Sequence, residues 1–421
     1  MVCDPGRAPG DTGSLTAVEF DPTSPAQRED PFDVLALARR EQPVFYAGTF
    51  DLWVVTRYED VLEVLKDHRT FSSAGALKSS PAPYPPEVLA VLAEGYPEMP
   101  YIIEVDPPLH DRIRGLVTKA FTPRRIAALE PRVRAITDEL VTGFERDGSA
   151  DLIERFAWPL PLRVLGELFG VPEDDLGRLH RLGLDWLLLQ QHDLPLERRI
   201  AHARGTVELQ RYFVRAVEER LDRPTDDLMG ALVAGRTELD PPLSIVEIAG
   251  LPLDLTIAGH VTVTRAIGST LHLLFRHPSL RDDLCDSARA PQAIEEILRL
   301  ESPAQGLFRI TTRPVEIGGA KLPEGARVMA HFASANRDGC RFERPDALEP
   351  GRPDGSRHIA FGKGIHFCIG APLARMELAV ALPALLERLP GLRPAEDAAP
   401  EREELFFARG FRSFPVSWDP P

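Results

Sequence analysis

Cys368 lies in the run Phe361-Gly362-Lys363-Gly364-Ile365-His366-Phe367-Cys368-Ile369-Gly370, a glycine-punctuated segment that leads into a helix-forming stretch over residues 371–389. Metals bind the thiolate and not the thiol, so a ligand cysteine needs its charge stabilised. Amide donors and the positive dipole at a helix start supply that. Gly364 and Gly370 lack a Cβ and would let the backbone turn sharply and approach a flat ligand. Phe361 and Phe367 could keep water from the sulfur. A cysteine taken alone is more simply a small buried hydrophobe, and what sets this one apart is the pattern around it. That pattern is not a dinucleotide fingerprint, because Gly362-x-Gly364 lacks the third glycine, and His366-x-Cys368 has no second ligand pair at zinc spacing.

The order Phe-x-x-Gly-x-His-x-Cys-x-Gly, continued by Ala371-Pro372-Leu373-Ala374-Arg375-Met376-Glu377, resembles the haem-binding signature of the cytochrome P450 superfamily in its soluble bacterial form. The resemblance implies a mainly α fold with a minor β part, built as a single large domain. It implies haem b, with Cys368 as the axial ligand of the iron and Phe361, Gly364, His366 and Gly370 around the group. The activity implied is that of a haem-thiolate monooxygenase, which inserts one oxygen atom from O2 into an organic substrate. In relatives of this type NAD(P)H supplies electrons indirectly, through a ferredoxin reductase and a ferredoxin. Tailoring of a secondary metabolite, macrolide-like for example, or hydroxylation of a xenobiotic is the expected task.

A second informative stretch runs over residues 244–277, opened by the capping-box pair Ser244 and Glu247 and closed by Pro278. It predicts one long buried helix, with Pro252 as its candidate kink. A membrane span is the rival, but Asp254, His260 and Arg265 would be costly in lipid. Within it, Ala258-Gly259-His260-Val261-Thr262 resembles the family's distal motif Ala-Gly-x-acid-Thr, in which small residues bring the helix close above the haem and the threonine hydroxyl faces bound dioxygen. Thr262 can bond back to the Ala258 carbonyl and, beside Gly259, widen the helix to admit water; back-bonding in an ordinary helix core is the plainer alternative. The chain departs from the motif at Val261, where the family has Asp or Glu. Protons must then come through a substrate hydroxyl or ordered water, or the enzyme uses peroxide, or it reduces nitric oxide. Asp254 shares the face of Thr262 but stands two turns away, about 12 Å.

Three further sets follow from the resemblance. Glu296 and Arg299, at i, i+3 on a predicted helix over 291–300, match the structural ion pair that supports the cysteine loop; its usual third arginine is absent, leaving Arg341, Arg344 and Arg352 as candidates. His110 and Arg114, one turn apart in Asp106-Pro107-Pro108-Leu109-His110-Asp111-Arg112-Ile113-Arg114, join Arg309 and His366 as partners for the haem propionates. Substrate contacts are expected from residues 74–101, 182–196, the distal helix, 303–308 and 406–411, among them Trp186, Leu307, Phe308 and Phe407.

Positioning these groups falls to a chain of 421 residues with 43% apolar content, enough for a large core. A net charge of -15 excludes general nucleic-acid and anionic-membrane binding. Helical patterns dominate, with short strands or hairpins at 44–55, 315–328 and 405–416 and helix breaks at Pro159, Pro161, Pro172 and Pro195. Residues 1–17 read as a disordered tail and 18–421 as the haem domain. The four dispersed cysteines suggest no paired framework and suit a cytoplasmic, monomeric protein without a membrane anchor. Between Arg337 and Arg375, seven basic residues face five acidic ones, which reads equally as a ferredoxin-docking face or an ordinary mixed surface. Val261 keeps a nitric oxide reductase or peroxygenase in view. A non-catalytic haem-thiolate sensor is the reading from another class.

Overall fold

The computed structural model describes residues 18–77, 84–190, 194–405 and 407–420; the expected tail at 1–17, Phe406 and parts of the 74–101 and 182–196 segments lie outside the described residues. The prolines punctuate the helices largely as expected. Pro159 opens Pro159–Phe169, and Pro172 and Pro195 are the N-caps of Glu173–Leu189 and Leu196–Asp222. Pro161 is the exception. It sits inside the first turn, where the backbone N–H has no helical partner to lose, so it does not end the helix.

The stretch over 244–277 forms one helix, Ile245–Arg276, unbroken at Pro252 and at the 258–262 turn, where local widening was expected. Ser244 Oγ accepts from the Glu247 amide (3.2 Å) while Glu247 Oε2 accepts from the Ser244 amide (2.7 Å), so each satisfies an amide that the helix leaves free. It is long and apolar enough to cross a membrane, but 61% of the relevant window is buried in protein. Its neighbours are Pro159–Phe169, Leu196–Asp222 and the cysteine helix, Ala371–Arg388. Two close approaches set its place: a Cβ on Gly259 would lie 3.2 Å from Leu165, and one on Gly250 would lie 2.4 Å from the Pro100 carbonyl oxygen.

The β part is small. Five strands pair in the order Val44–Ala47, Leu52–Val55, Arg327–Ala330, Leu307–Thr311 and Phe71–Ser72. All neighbours are antiparallel except Leu52–Val55 with Arg327–Ala330, where Trp53 stands opposite Val328 in parallel register. Arg309 also faces Val328, from the other side. A hairpin at Val315–Leu322 turns through Gly318 and Gly319, both at positive φ. The cysteines depart from expectation at one point: Cys340 is disulfide-bonded, whereas Cys285 and Cys368 are free.

Glu296 and Arg299, on the helix Ala290–Leu300, are 1% and 0% exposed, and their side chains pair at 2.8 and 2.9 Å. Arg352 supplies the third member, with Nε 3.3 Å from Glu296 Oε1, while Arg344 pairs with Glu349 and Arg341 lies over Tyr58. Arg299 also donates to the carbonyl oxygens of Asn336 (2.7 Å), Pro345 (2.6 Å) and Ala347 (3.1 Å). Asn336 Oδ1 in turn accepts from the Ile359 amide at 2.7 Å, which carries the restraint to the start of the cysteine loop. Removing one partner of a buried charge cluster strands the others, so Glu296→Ala should lose about 3–5 kcal/mol of stability. Urea unfolding of the two proteins measures that difference; a loss under about 1 kcal/mol would place the cluster among weak surface pairs.

Candidate functional site

The cysteine loop is shaped by Gly362 and Gly364, at φ +69° and +73°. A Cβ on Gly364 would stand 2.2 Å from the Leu65 carbonyl oxygen, so no side chain fits where the loop rests on the helix Tyr58–Lys66. Gly370 does not make the sharp turn expected of it. Its φ is -80°, and it serves instead as N-cap of Ala371–Arg388. The Cys368 amide donates to the Phe361 carbonyl oxygen at 3.0 Å, closing the loop on itself. Burial pushes the Cys368 thiol up, against the amides of Gly370 and Ala371 and the charges of Arg114 and Arg375, which favour the thiolate. Phe361 lies beneath the Arg375 guanidinium, 4.4 Å from its ring centre, whereas Phe367, expected to help keep water out, is itself 36% exposed.

Arg375 is fixed by both Glu295 oxygens at 2.6 and 2.7 Å, and His358 Nε2 approaches the same carboxylate at 3.3 Å. The helix Ala290–Leu300 therefore braces both the loop and the cysteine helix. Motif spacing singled out Glu296 but missed Glu295, whose partner stands eighty positions away.

The four residues expected at the propionates converge. The His110 and His366 rings meet edge-on at 4.6 Å, and Arg114 donates to the Phe367 carbonyl oxygen at 2.6 Å. His366 Nε2 lies 3.0 Å from Ser73 Oγ, and the Ser73 amide donates to Asp106 at 3.0 Å. Ser73 and Asp106 carried no signal that sequence reading used. Burial, then the charges of Arg309 and His110, pull His366 down to about 3, so it is neutral at ordinary pH. Two groups here want a partner. Arg309, 2% exposed, donates to its neighbour's carbonyl oxygen (2.7 Å) and meets no carboxylate within 4.0 Å among the described residues; burial lowers it to about 10. His110 Nε2 is buried without a hydrogen bond. A buried cation and an orphaned imidazole nitrogen fit the carboxylates of haem.

On the long helix, Thr262 Oγ1 donates to the Ala258 carbonyl oxygen at 2.8 Å. Ala258 is exposed, and Gly259, Val261 and Thr262 are only partly covered, although both flanks of this turn are buried. That bare face, like the half-covered Cys368, fits a flat group between helix and loop. His260 points the other way: its Nε2 donates to the Trp158 carbonyl oxygen at 3.1 Å, and burial holds it near 4. Asp254 accepts from the Ile102 amide at 2.9 Å and is pushed up to about 7 by burial, so its carboxyl is committed away from Thr262.

Phe308, expected to face substrate, is a core residue, 4% exposed; its ring meets that of the partly exposed Phe407 at 6.3 Å between centres, and Leu307 beside it in sequence is also partly exposed. Trp186 is buried in the main core against Tyr101, 5.2 Å between ring centres, rather than displayed on a wall. The excess of basic residues between 337 and 375 does not make a basic face. Arg337, Arg344, Arg352 and Arg375 are each paired with a carboxylate, which leaves Arg341, Arg357 and Lys363.

A cytochrome P450 family model matches residues 290–408, from the Glu296 helix through the cysteine loop. The chain is 37% identical over 396 residues to cytochrome P450 107B1 of Saccharopolyspora erythraea, covering 90% of this chain and 92% of that one. It is 37% identical over 373 residues to the mycinamicin IV hydroxylase/epoxidase of Micromonospora griseorubida, covering 87% and 90%. Among solved structures, cytochrome P450 CYP109Q5 of Chondromyces apiculatus superposes with a TM-score of 0.83 at 35% identity, over 96% of this chain and 98% of that one.

Glu295 gives the site a pH dependence. Burial alone would raise its pKa, but the hydrogen bonds from Arg375 and His358 outweigh that and hold it at about 2, against 4.5 when free. A depressed carboxyl adds stability above its free pKa and loses it as pH falls through the folded one. Thermal melts between pH 4.5 and 2 should thus fall less steeply for Glu295→Gln than for the wild type, from a lower starting point. Parallel curves would show that the brace does not contribute.

Proposed function

The chain belongs to the cytochrome P450 family, and from that premise we propose that it is a monooxygenase that places one oxygen atom from O2 into a largely apolar organic molecule, with electrons from NAD(P)H delivered by a ferredoxin reductase and a ferredoxin. The observation that carries the reading is the environment of Cys368: a half-covered sulfur with amides and two guanidinium groups to favour its charge, on a loop with no room for adjustment.

Haem, when bound, supplies an iron that activates dioxygen under the electron push of a thiolate. Cys368 would hold it from one side, while Arg309, His110, Arg114 and His366 take its carboxylates. Ala258 and Gly259 leave room on the other side. Thr262, its hydroxyl committed to Ala258, presents oxygen lone pairs that can orient water or substrate. With Val261 in the acid's place, protons must pass through ordered water or a substrate hydroxyl near Thr262. Leu307 and Phe407, both partly exposed, offer apolar surface suited to a substrate held by shape, with the core residue Phe308 behind Phe407. A relative that acts as a mycinamicin IV hydroxylase/epoxidase supports a macrolide-like substrate and a place in antibiotic tailoring. The protein works as a cytoplasmic monomer in this reading.

Val261 favours a second reading, a nitric oxide reductase or peroxygenase, since neither depends on an acid relay of the usual kind. Nitric oxide consumed with NAD(P)H alone, or product formed with peroxide and no ferredoxin, would establish it. A non-catalytic sensor would instead show ligand-dependent spectra and no turnover with any donor.

The reduced carbon monoxide complex should show the red-shifted thiolate band, and Cys368→Ala should lose it; a band that survives the substitution sinks the assignment. In turnover with ferredoxin, reductase and NAD(P)H, Val261→Glu should raise the fraction of oxygen that ends in product, about tenfold where proton delivery is limiting. Unchanged coupling would mean that the relay does not pass through position 261.

A further inference from the structure

The turn at 407–410, expected to face substrate, is held from outside by one side chain. Arg409, 6% exposed, donates Nε to Glu301 Oε2 (2.7 Å), one terminal nitrogen to the Arg28 carbonyl oxygen (2.8 Å) and the other to the Glu29 carbonyl oxygen (2.9 Å). Its own amide donates to the Pro303 carbonyl oxygen at 2.9 Å. One guanidinium thus joins the end of the Glu296 helix, the N-terminal segment and the turn. The planar fork suits this work, because its five N–H groups point in fixed, different directions.

The same turn is tied to the 303–308 stretch along its length. The Gln305 amide donates to the Phe407 carbonyl oxygen at 2.8 Å, and Ala304 bridges Ala408. The Phe308 and Phe407 rings meet at the inner end of this seam. Behind the turn, a Cβ on Gly410 would lie 2.4 Å from Arg265 of the long helix, and that buried arginine pairs with Glu403 at 2.7 Å. The N-terminal segment is secured a second time, where Arg402 pairs with the Glu29 carboxylate at 3.1 Å and lies over Phe411. The turn is therefore wedged between the long helix and residues 28–29. Arg409 is the group that contacts both Glu301 and the N-terminal segment.

We propose that Arg409 is the positioning residue that sets the partly exposed Phe407 against the buried Phe308, fastening it to the N-terminal segment so that residues 28–29 share in control of which molecules fit. The proposal rests on the reading of Phe407 as substrate-facing. It assigns selectivity to a side chain that touches neither haem nor substrate. Two of the three bonds go to main-chain oxygens, so the fastening depends on the path of the N-terminal segment and not on its side chains.

The test uses two haem ligands of one chemistry and different size, imidazole and 4-phenylimidazole, titrated by the shift of the haem absorption band. Arg409→Lys keeps a charge for Glu301 but cannot span three partners; Arg409→Gln removes the charge as well. The expected result is that 4-phenylimidazole binds at least about fivefold more weakly to Arg409→Lys, one net hydrogen bond being worth about that factor, with imidazole within about twofold of wild type. The reduced carbon monoxide band should be unchanged. Equal loss of both ligands, or loss of the haem band in both variants, would make Arg409 a general fold residue and overturn the proposal. Unchanged affinity for both ligands would overturn it equally. A wild type that gives no spectral shift with imidazole would instead fail the haem reading itself.

Discussion

A thiolate inside a protein is a charge out of water, and holding one costs several kcal/mol unless donors surround it. The arrangement around Cys368 answers that constraint in layers. Gly370 and Ala371 offer amides, Arg114 and Arg375 offer charge, and Glu295 fixes Arg375 in place. Beneath them the Glu296, Arg299 and Arg352 cluster holds the carbonyl groups of residues 336–347, from which the loop departs. One short helix, Ala290–Leu300, supplies both Glu295 and Glu296 and so braces the loop and its support together.

The opposite side of the site has the reverse balance. Positive and neutral donors gather at Arg309, His110 and His366, where His110 Nδ1 meets Asp111 but Arg309 and the buried His110 Nε2 meet no carboxylate among the described residues, while the long helix presents Ala258, Val261 and Thr262 with no acid among them. In the proposed reading, charge would thus be concentrated at the edge of haem and beneath it, with the face toward the long helix left apolar apart from the Thr262 hydroxyl. Chemistry there, in the same reading, depends on molecules that enter, water or substrate.

The residues that sequence made legible are those whose meaning is local. The capping box of Ser244 and Glu247, the Glu296–Arg299 spacing and the Cys368 run are each written within a few positions. Contacts between distant segments were not readable in that way. Arg352 could not be told from Arg341 or Arg344 before the path of 343–352 was known. Counting charges between 337 and 375 left a docking face and a mixed surface equally open because the count cannot see that four arginines are already paired. Gly364 and Gly370 both looked like turning residues of the loop; Gly364 and its neighbour Gly362 carry the positive φ, and Gly370 does not. Arg409 gave no signal at all: two of its partners are main-chain oxygens at positions 28 and 29.

The five-stranded sheet has a consequence for synthesis. The hairpin of Val44–Ala47 and Leu52–Val55 pairs with Arg327–Ala330, and the Tyr58 amide bonds to Asp338, a separation of 280 positions. On the ribosome, the first hairpin is made long before the strand that covers its open edge. Unpaired edges invite pairing with other chains, and contacts of such long separation form slowly. Yield of the intact protein should therefore depend on how well the nascent N-terminal third is shielded until the last third has emerged.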